Sequence, residues 1–226
     1  MALVTALALG AGCDLPHDPK DTLENVRGDT VRVGVSESPP WVVRDGGSPA
    51  GVEADLVRRF ADDLGAEVEW IWGDPQEHLE ALRRFQLDLV IGGLTRASPW
   101  RRHVAFTAPY FTDTLRIGAL PGAPPPADLD GVRVAVEPGS ALAATLEERG
   151  AVPVPTRDLT AVNIPVAASA WELARWGFVA ADADLGHTRH VLAVPPGENG
   201  WLVRLERFLR RHATDVAPAL RTGVPS

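Results

Sequence analysis

The spacing of apolar and polar positions changes several times between residues 31 and 119, and each change marks an element. Val31, Val33 and Val35 alternate with other residues, the period-two pattern of a strand, which stops at Pro39 and Pro40. In GVEADLVRRFADDLG the apolar residues Val52, Leu56, Phe60 and Leu64 recur every four positions. Val57 and Ala61 widen that stripe, and Gly65 stands where a helix C-cap is expected. Glu67 to Trp72 reads as a second strand. Asp74, Pro75 and Glu77 then supply an N-cap, a first-turn proline and a capping-box carboxylate for a helix running to about Phe85. Leu87 to Ile91 is a nearly continuous apolar run, as in a strand buried on both faces of a parallel sheet, and it ends at Gly92 and Gly93. Strand, helix, strand, helix, strand with short connections predicts a right-handed α/β lobe. Ligands of such sheets bind beyond the carboxyl ends of the strands, here Ser36 to Trp41, Trp72 to Asp74 and Gly92 to Thr95.

After Thr114 to Ala119, the segment PGAPPPADLDG marks a surface connection into a second unit. There Val132 to Val136 reads as a strand, leading through Pro138, Gly139 and Ser140 into a helix that carries Leu142 and Leu146 and ends at Gly150. The last strong strand is HVLAV at residues 190–194, followed by an amphipathic helix with Leu202, Leu205, Phe208 and Leu209. Ala151 to Ala183 is rich in alanine and valine with poor periodicity, which predicts a reduced second lobe. Residues 14–29 are polar and aperiodic, the composition of a flexible tether, with order expected from near Val31.

Composition narrows the class. At 226 residues and 45% hydrophobic content the chain can build its core without metals or disulfides. Its net charge of −8, with no basic run, argues against nucleic acid as a partner. The single cysteine, Cys13, follows MALVTALALGAG, an apolar leader too short to span a bilayer. Small residues at Gly10, Ala11 and Gly12 make residues 1–13 look like a lipoprotein signal peptide with Cys13 as the lipid attachment point, although Leu9 lies one position early and no Lys or Arg precedes the leader.

In their order, VRVGVSESPPWVV, GVEADLVRRFADDLG, HLEALRRF, LDLVIGGLT and VAFTAPYF closely resemble the extracytoplasmic solute-binding proteins of ABC importers, family 3, most of which capture polar amino acids. The resemblance implies an α/β, two-lobed type-2 periplasmic-binding fold with its ligand cleft between the lobes. It places lobe one at residues 30–114 and 197–222, lobe two at 115–196, and the hinge crossings near Thr114 to Gly118 and Val194 to Gly197. It also implies a lipid-anchored, extracytoplasmic monomer that needs no cofactor, catalyses nothing and hands a small solute to a membrane permease.

In relatives that bind amino acids, an arginine after the GGLT-like turn forks onto the α-carboxylate, an acid late in lobe two takes the α-ammonium, and an aromatic covers the side chain. Here Trp100 occupies the arginine position, with Arg101 next to it as a replacement clamp. Spacing back from HVLAVPPGEN puts Ala170 at the acid position, with Asp182 as the alternative. Both changes point to a ligand lacking one or both charges of a zwitterion. Gly93 and Thr95 match the turn that contacts carboxylates, Ser140 opens a helix whose free N–H groups favour anions, and Ser36 and Glu37 complete the polar set. Trp41, Trp72, Trp100 and Trp171 fall at or beside pocket positions. They suggest an alternative, an aromatic cage for a quaternary ammonium or other organic cation, against plain core packing.

Two further alternatives stay open. One is a ligand sensor without transport. The other is a dehydratase-like enzyme on the same fold, with Glu37 and Asp74 as an acid–base pair if buried. A chain ending at Ser226 leaves no room for the lytic transglycosylase domain that accompanies some relatives. Glu53 and Asp55 read as first-turn helix charges rather than ligands. His187 and His190, with Asp182 and Asp184, form no metal site on a strand, because residues three apart face opposite ways.

Overall fold

The computed structural model describes residues 18–222; Cys13 and its leader lie outside them. The chain runs through α1 (Thr22–Val26), β1 (Thr30–Val35), a hairpin of β2 (Val43–Asp45) and β3 (Ser48–Ala50), α2 (Val52–Leu64), β4 (Glu67–Trp72), α3 (Pro75–Arg83) and β5 (Leu89–Ile91). A 3-10 turn at Pro99–Arg102 and β6 (Ala105–Phe106) precede β7 (Phe111–Ala119), β8 (Arg133–Val136), α4 (Leu142–Glu148), β9 (Val152–Pro155) and β10 (Val166–Ser169). Next come α5 (Ala170–Trp176) and β11 (Val179–His190), and the chain returns through β12 (Ala193–Val194) to α6 (Asn199–Thr222). One sheet has the order β4-β1-β5-β12-β6 and the other β11-β7-β10-β8-β9, which defines two lobes.

Lobe one follows its hydrophobic pattern. Val31, Val33 and Val35 of β1 are buried, and β1 pairs in parallel with β4 and β5. Helix α2 buries Val52, Leu56, Val57, Phe60 and Leu64. Phe60 lies 5.2 Å from both Trp201 and Phe208, so α6 packs back on lobe one through aromatic contacts. Gly65, at φ 66°, closes α2 with its N–H on the Ala61 and Asp62 carbonyls, and Asp74 caps α3 by accepting from the Gln76 N–H at 2.7 Å.

Two expectations change. The chain crosses between the sheets earlier than predicted, between Phe106 and Phe111, and returns between His190 and Ala193, so HVLAV is divided between the lobes. The aperiodic region supplies β9, β10, α5 and the start of β11. Its pattern is weak for physical reasons: β9 is an edge strand carrying Pro153 and Pro155, β10 is buried throughout, and β11 is interrupted by register shifts around Asp184.

The expected tether is ordered from Asp18 onward. Asp18 accepts from the Trp201 N–H at 2.9 Å, at the start of α6, while Glu198 accepts from the Lys20 and Thr22 N–H groups at 3.0 and 3.1 Å, at the start of α1. Each helix start thus receives a carboxylate from the other segment, which satisfies N–H groups that no intrahelical carbonyl can reach. Asp18→Ala is expected to cost about 1–2 kcal/mol, read as a lower urea midpoint with unchanged slope.

Candidate functional site

The turn after β5 is held from below by a buried acid. Glu53, in the first turn of α2, is fully buried rather than a surface charge. Its Oε2 accepts from the Gly92 and Gly93 N–H groups at 2.8 and 3.0 Å, and its Oε1 accepts from the Tyr110 hydroxyl at 2.6 Å. Burial raises the Glu53 carboxyl above its ordinary range, opposed by these three donors. Gly93, at φ +67°, has no room for a side chain: a Cβ would lie 2.5 Å from Ser38 Oγ and 2.9 Å from Trp41 Cδ1.

Beyond this turn the chain meets the last residues of β11. Thr95 and His190 form an antiparallel bridge, with the Arg96 N–H on the Arg189 carbonyl and the Val191 N–H on the Leu94 carbonyl, both at 2.9 Å. A cavity of about 460 Å³ opens here, lined by Thr95, Arg96 and Arg101 from lobe one and by His187, Thr188 and Arg189 from lobe two. It brings together two of the residues predicted for the site, Thr95 and Arg101. Arg96 and Arg189 were missed. For Arg96 a signal existed, since three arginines fall within residues 96–102 of an acidic chain; for Arg189 only the bridge supplies one.

The remaining predicted residues do not converge there. The Ser36 hydroxyl is spent on the Gly73 carbonyl at 3.1 Å. Glu37 is exposed and accepts from the Arg44 N–H at 3.4 Å; Asp74 is exposed as well, so the burial needed for acid–base work is absent from that pair. Ser140 accepts from the Leu142 N–H at 3.2 Å, one residue ahead of Ala141, the N-cap of α4. Trp100 lines a separate groove of about 450 Å³ with Glu80, Arg83 and His103.

The tryptophans do not form a cage. Trp41 is only 7% exposed and stacks on His190 at 3.8 Å, with Phe111 at 5.8 Å. One face of Trp72 is covered by the Arg44 guanidinium, 3.9 Å from the ring centre. Trp171 packs against the lobe-one core from α5, and with Asp113, Ala217 and Arg221 it borders a small cavity of about 180 Å³. Trp41 and Trp171 therefore join the lobes. They do so as packing groups rather than as open aromatic faces.

The end of β10, where the resemblance expects an acid, carries Ser169 and Ala170. The Ser169 hydroxyl donates to Asp113 Oδ2 of β7, and burial raises the Asp113 carboxyl above its ordinary range. Asp182 is fully exposed, near Arg116 at 3.9 Å. His187 is exposed and pairs with Asp184 at 2.7 Å, whereas His190 is buried, and burial holds its imidazole down to about 4. Among the described residues no group of three or more His, Cys, Asp or Glu is placed to hold a metal ion, and no helix is long and apolar enough to cross a membrane.

Two α/β lobes joined by two crossings, with a cavity at their junction, define a protein of the two-lobed type-2 periplasmic-binding class. The sequence model of the bacterial extracellular solute-binding proteins, family 3, matches residues 31–218, and the chain belongs to that family. An ancestral cationic amino acid solute binding protein shares the fold with a TM-score of 0.71 at 23% identity, over 89% of this chain and 98% of that one. The L-cystine solute receptor of Neisseria gonorrhoeae, in its unliganded open conformation, also gives 0.71, at 19% identity over 85% of this chain and 91% of that one. Among curated proteins, the membrane-bound lytic murein transglycosylase F of Pseudomonas syringae pv. tomato is 34% identical over 146 residues, 62% of this chain and 29% of the relative. The transglycosylase F of Idiomarina loihiensis is 34% identical over 110 residues, 48% of this chain and 24% of the relative. The chain thus spans less than a third of the length of either curated relative.

Proposed function

We propose that this chain is the extracytoplasmic capture component of an ABC importer, binding a small polar solute where its lobes meet and presenting it to a membrane permease without catalysis of its own. The observation that carries this reading is the cavity shared by the Thr95 to Arg101 segment of lobe one and the His187 to Arg189 segment of lobe two. A solute held by both segments stabilises whichever lobe arrangement brings them together, so binding can be read by a partner that touches both lobes. The lipid anchor at Cys13 keeps the protein beside that partner.

Intact-mass analysis of the membrane fraction tests the anchor. A mature chain beginning at a diacylglyceryl-modified Cys13 is expected, and an unprocessed Met1 contradicts it. Loss of solute uptake when the gene is deleted, restored by the wild-type chain, is expected of an importer component.

A second reading has its own support, the likeness to the transglycosylase F proteins. In it the chain is a binding module that senses a murein-derived fragment for a membrane partner. Tight binding of a murein disaccharide-peptide, with uptake unchanged by deletion, favours this reading over import.

A further inference from the structure

We infer that the junction cavity selects small dianions, a dicarboxylate or a phosphate monoester, over zwitterions and cations. This inference rests on the reading of the chain as a solute-binding protein.

The charge arrangement carries it. The Thr95–His190 bridge sets Arg96 directly opposite Arg189, and like charges facing each other across a strand pair repel. Arg101 adds a third guanidinium to the same lining. None of these three arginines has a carboxylate partner among the described residues, and no Asp or Glu lines the cavity. The acid beside the cavity, Asp184, is taken up by His187 at 2.7 Å. In a chain of net charge −8, a cavity edged by three unpaired arginines is a local reversal of sign that attracts anions.

The ligand's charge count follows from the same lining. One carboxylate accepts a fork from one arginine, which leaves the repulsion between the other two unrelieved; a second anionic group at the far end of a short solute answers it. The hydroxyls of Thr95 and Thr188 add donors for the same oxygens. An ammonium finds no acceptor carboxylate in this lining. Asp113, the buried acid nearest the end of β10, has one oxygen engaged by Ser169 and borders a different cavity.

The test is calorimetric titration of the full chain at fixed ionic strength with succinate, glycerol 3-phosphate, glutamate, lysine and choline, repeated with Arg101→Gln and Arg189→Gln. Succinate or glycerol 3-phosphate is expected to bind more tightly than the other three, and which of the two is tighter separates the dicarboxylate from the phosphate ester. Each variant is expected to weaken the dianion roughly 10- to 100-fold, the loss of a charge-assisted hydrogen bond. Both arginines are exposed, so unliganded melting is expected to stay within about 2 °C of wild type. Glutamate, lysine or choline binding more tightly overturns the dianion assignment and leaves solute binding intact. Dianion binding unmoved by both variants overturns the role of the arginines. No heat with any of the five, together with no melting shift across a wider solute panel, overturns the solute-binding reading beneath them.

Discussion

Replacing Glu53 with leucine is expected to destabilise the protein by about 3 kcal/mol, because it leaves the partly buried Gly92 and Gly93 N–H groups and the buried Tyr110 hydroxyl without their acceptor. The effect reaches function through geometry, since the same acid fixes the turn that leads to Thr95 and Arg96. Glu53→Gln is expected to be far milder: its amide oxygen can take the glycine N–H groups while its NH₂ donates to the Tyr110 oxygen. Wild type and Glu53→Gln differ in their pH dependence as well. Burial raises the folded carboxyl above the unfolded value, so the protonated acid is the form that the fold favours. Its contribution is complete below the unfolded pKa and is lost as pH rises through the folded one. Urea midpoints taken from about pH 4 to about pH 8 should show wild type losing stability relative to Glu53→Gln as pH rises. A difference that stays constant across that range contradicts the raised carboxyl.

Trp41→Ala is expected to cost about 3–5 kcal/mol and to loosen the joint between the lobes. The ring stacks on His190 at 3.8 Å, meets Tyr110 edge-on at 6.3 Å and lies beside Gly93, so three segments lose a shared partner at once. The loss also has a spectroscopic signature. Burial depresses the His190 imidazole to about 4, and removing Trp41 admits water to the ring. The NMR titration midpoint of His190 is expected to move up toward the ordinary value of about 6.5. A depressed folded pKa makes His190 stabilising above its unfolded value and costs stability as pH falls through the folded one, opposite to Glu53. Acid melting of the wild type therefore sums two opposed titrations, and Trp41→Ala should remove much of the His190 share. An unmoved His190 midpoint with normal unfolding means that the stack does not shield the ring.

Lobe one was legible because its elements announce themselves locally. The four-residue stripe of α2, the Asp74 cap of α3 and the apolar run of β5 each need only neighbours in sequence. Lobe two was harder because β9 and β11 are edge strands and β10 is buried throughout, so neither alternation nor helical spacing survives there. The ordered start at Asp18 escaped because its partners, Glu198 and Trp201, lie near the other end of the chain. The same distance hid much of the site. Thr95 and Arg101 stand in a recognisable segment, but Arg189 reaches them only through a bridge between residues far apart in sequence. Trp41 and Trp171 were readable as aromatic residues near the lobe junction. Whether their faces were open was decided by His190 and by the docking of α5 on lobe one, which no local pattern encodes.

The central claim, that the lobe junction binds a small solute, is tested most directly by melting the full chain against a panel of amino acids, polyamines, betaines, sugars, dicarboxylates and phosphate esters. A ligand present at about a hundred times its dissociation constant adds about 2.7 kcal/mol, which for a domain of this size raises the melting temperature by about 5–10 °C. A rise of that size for at least one class, with the dianions foremost, is the expected result; a melting temperature unchanged across every class contradicts the claim.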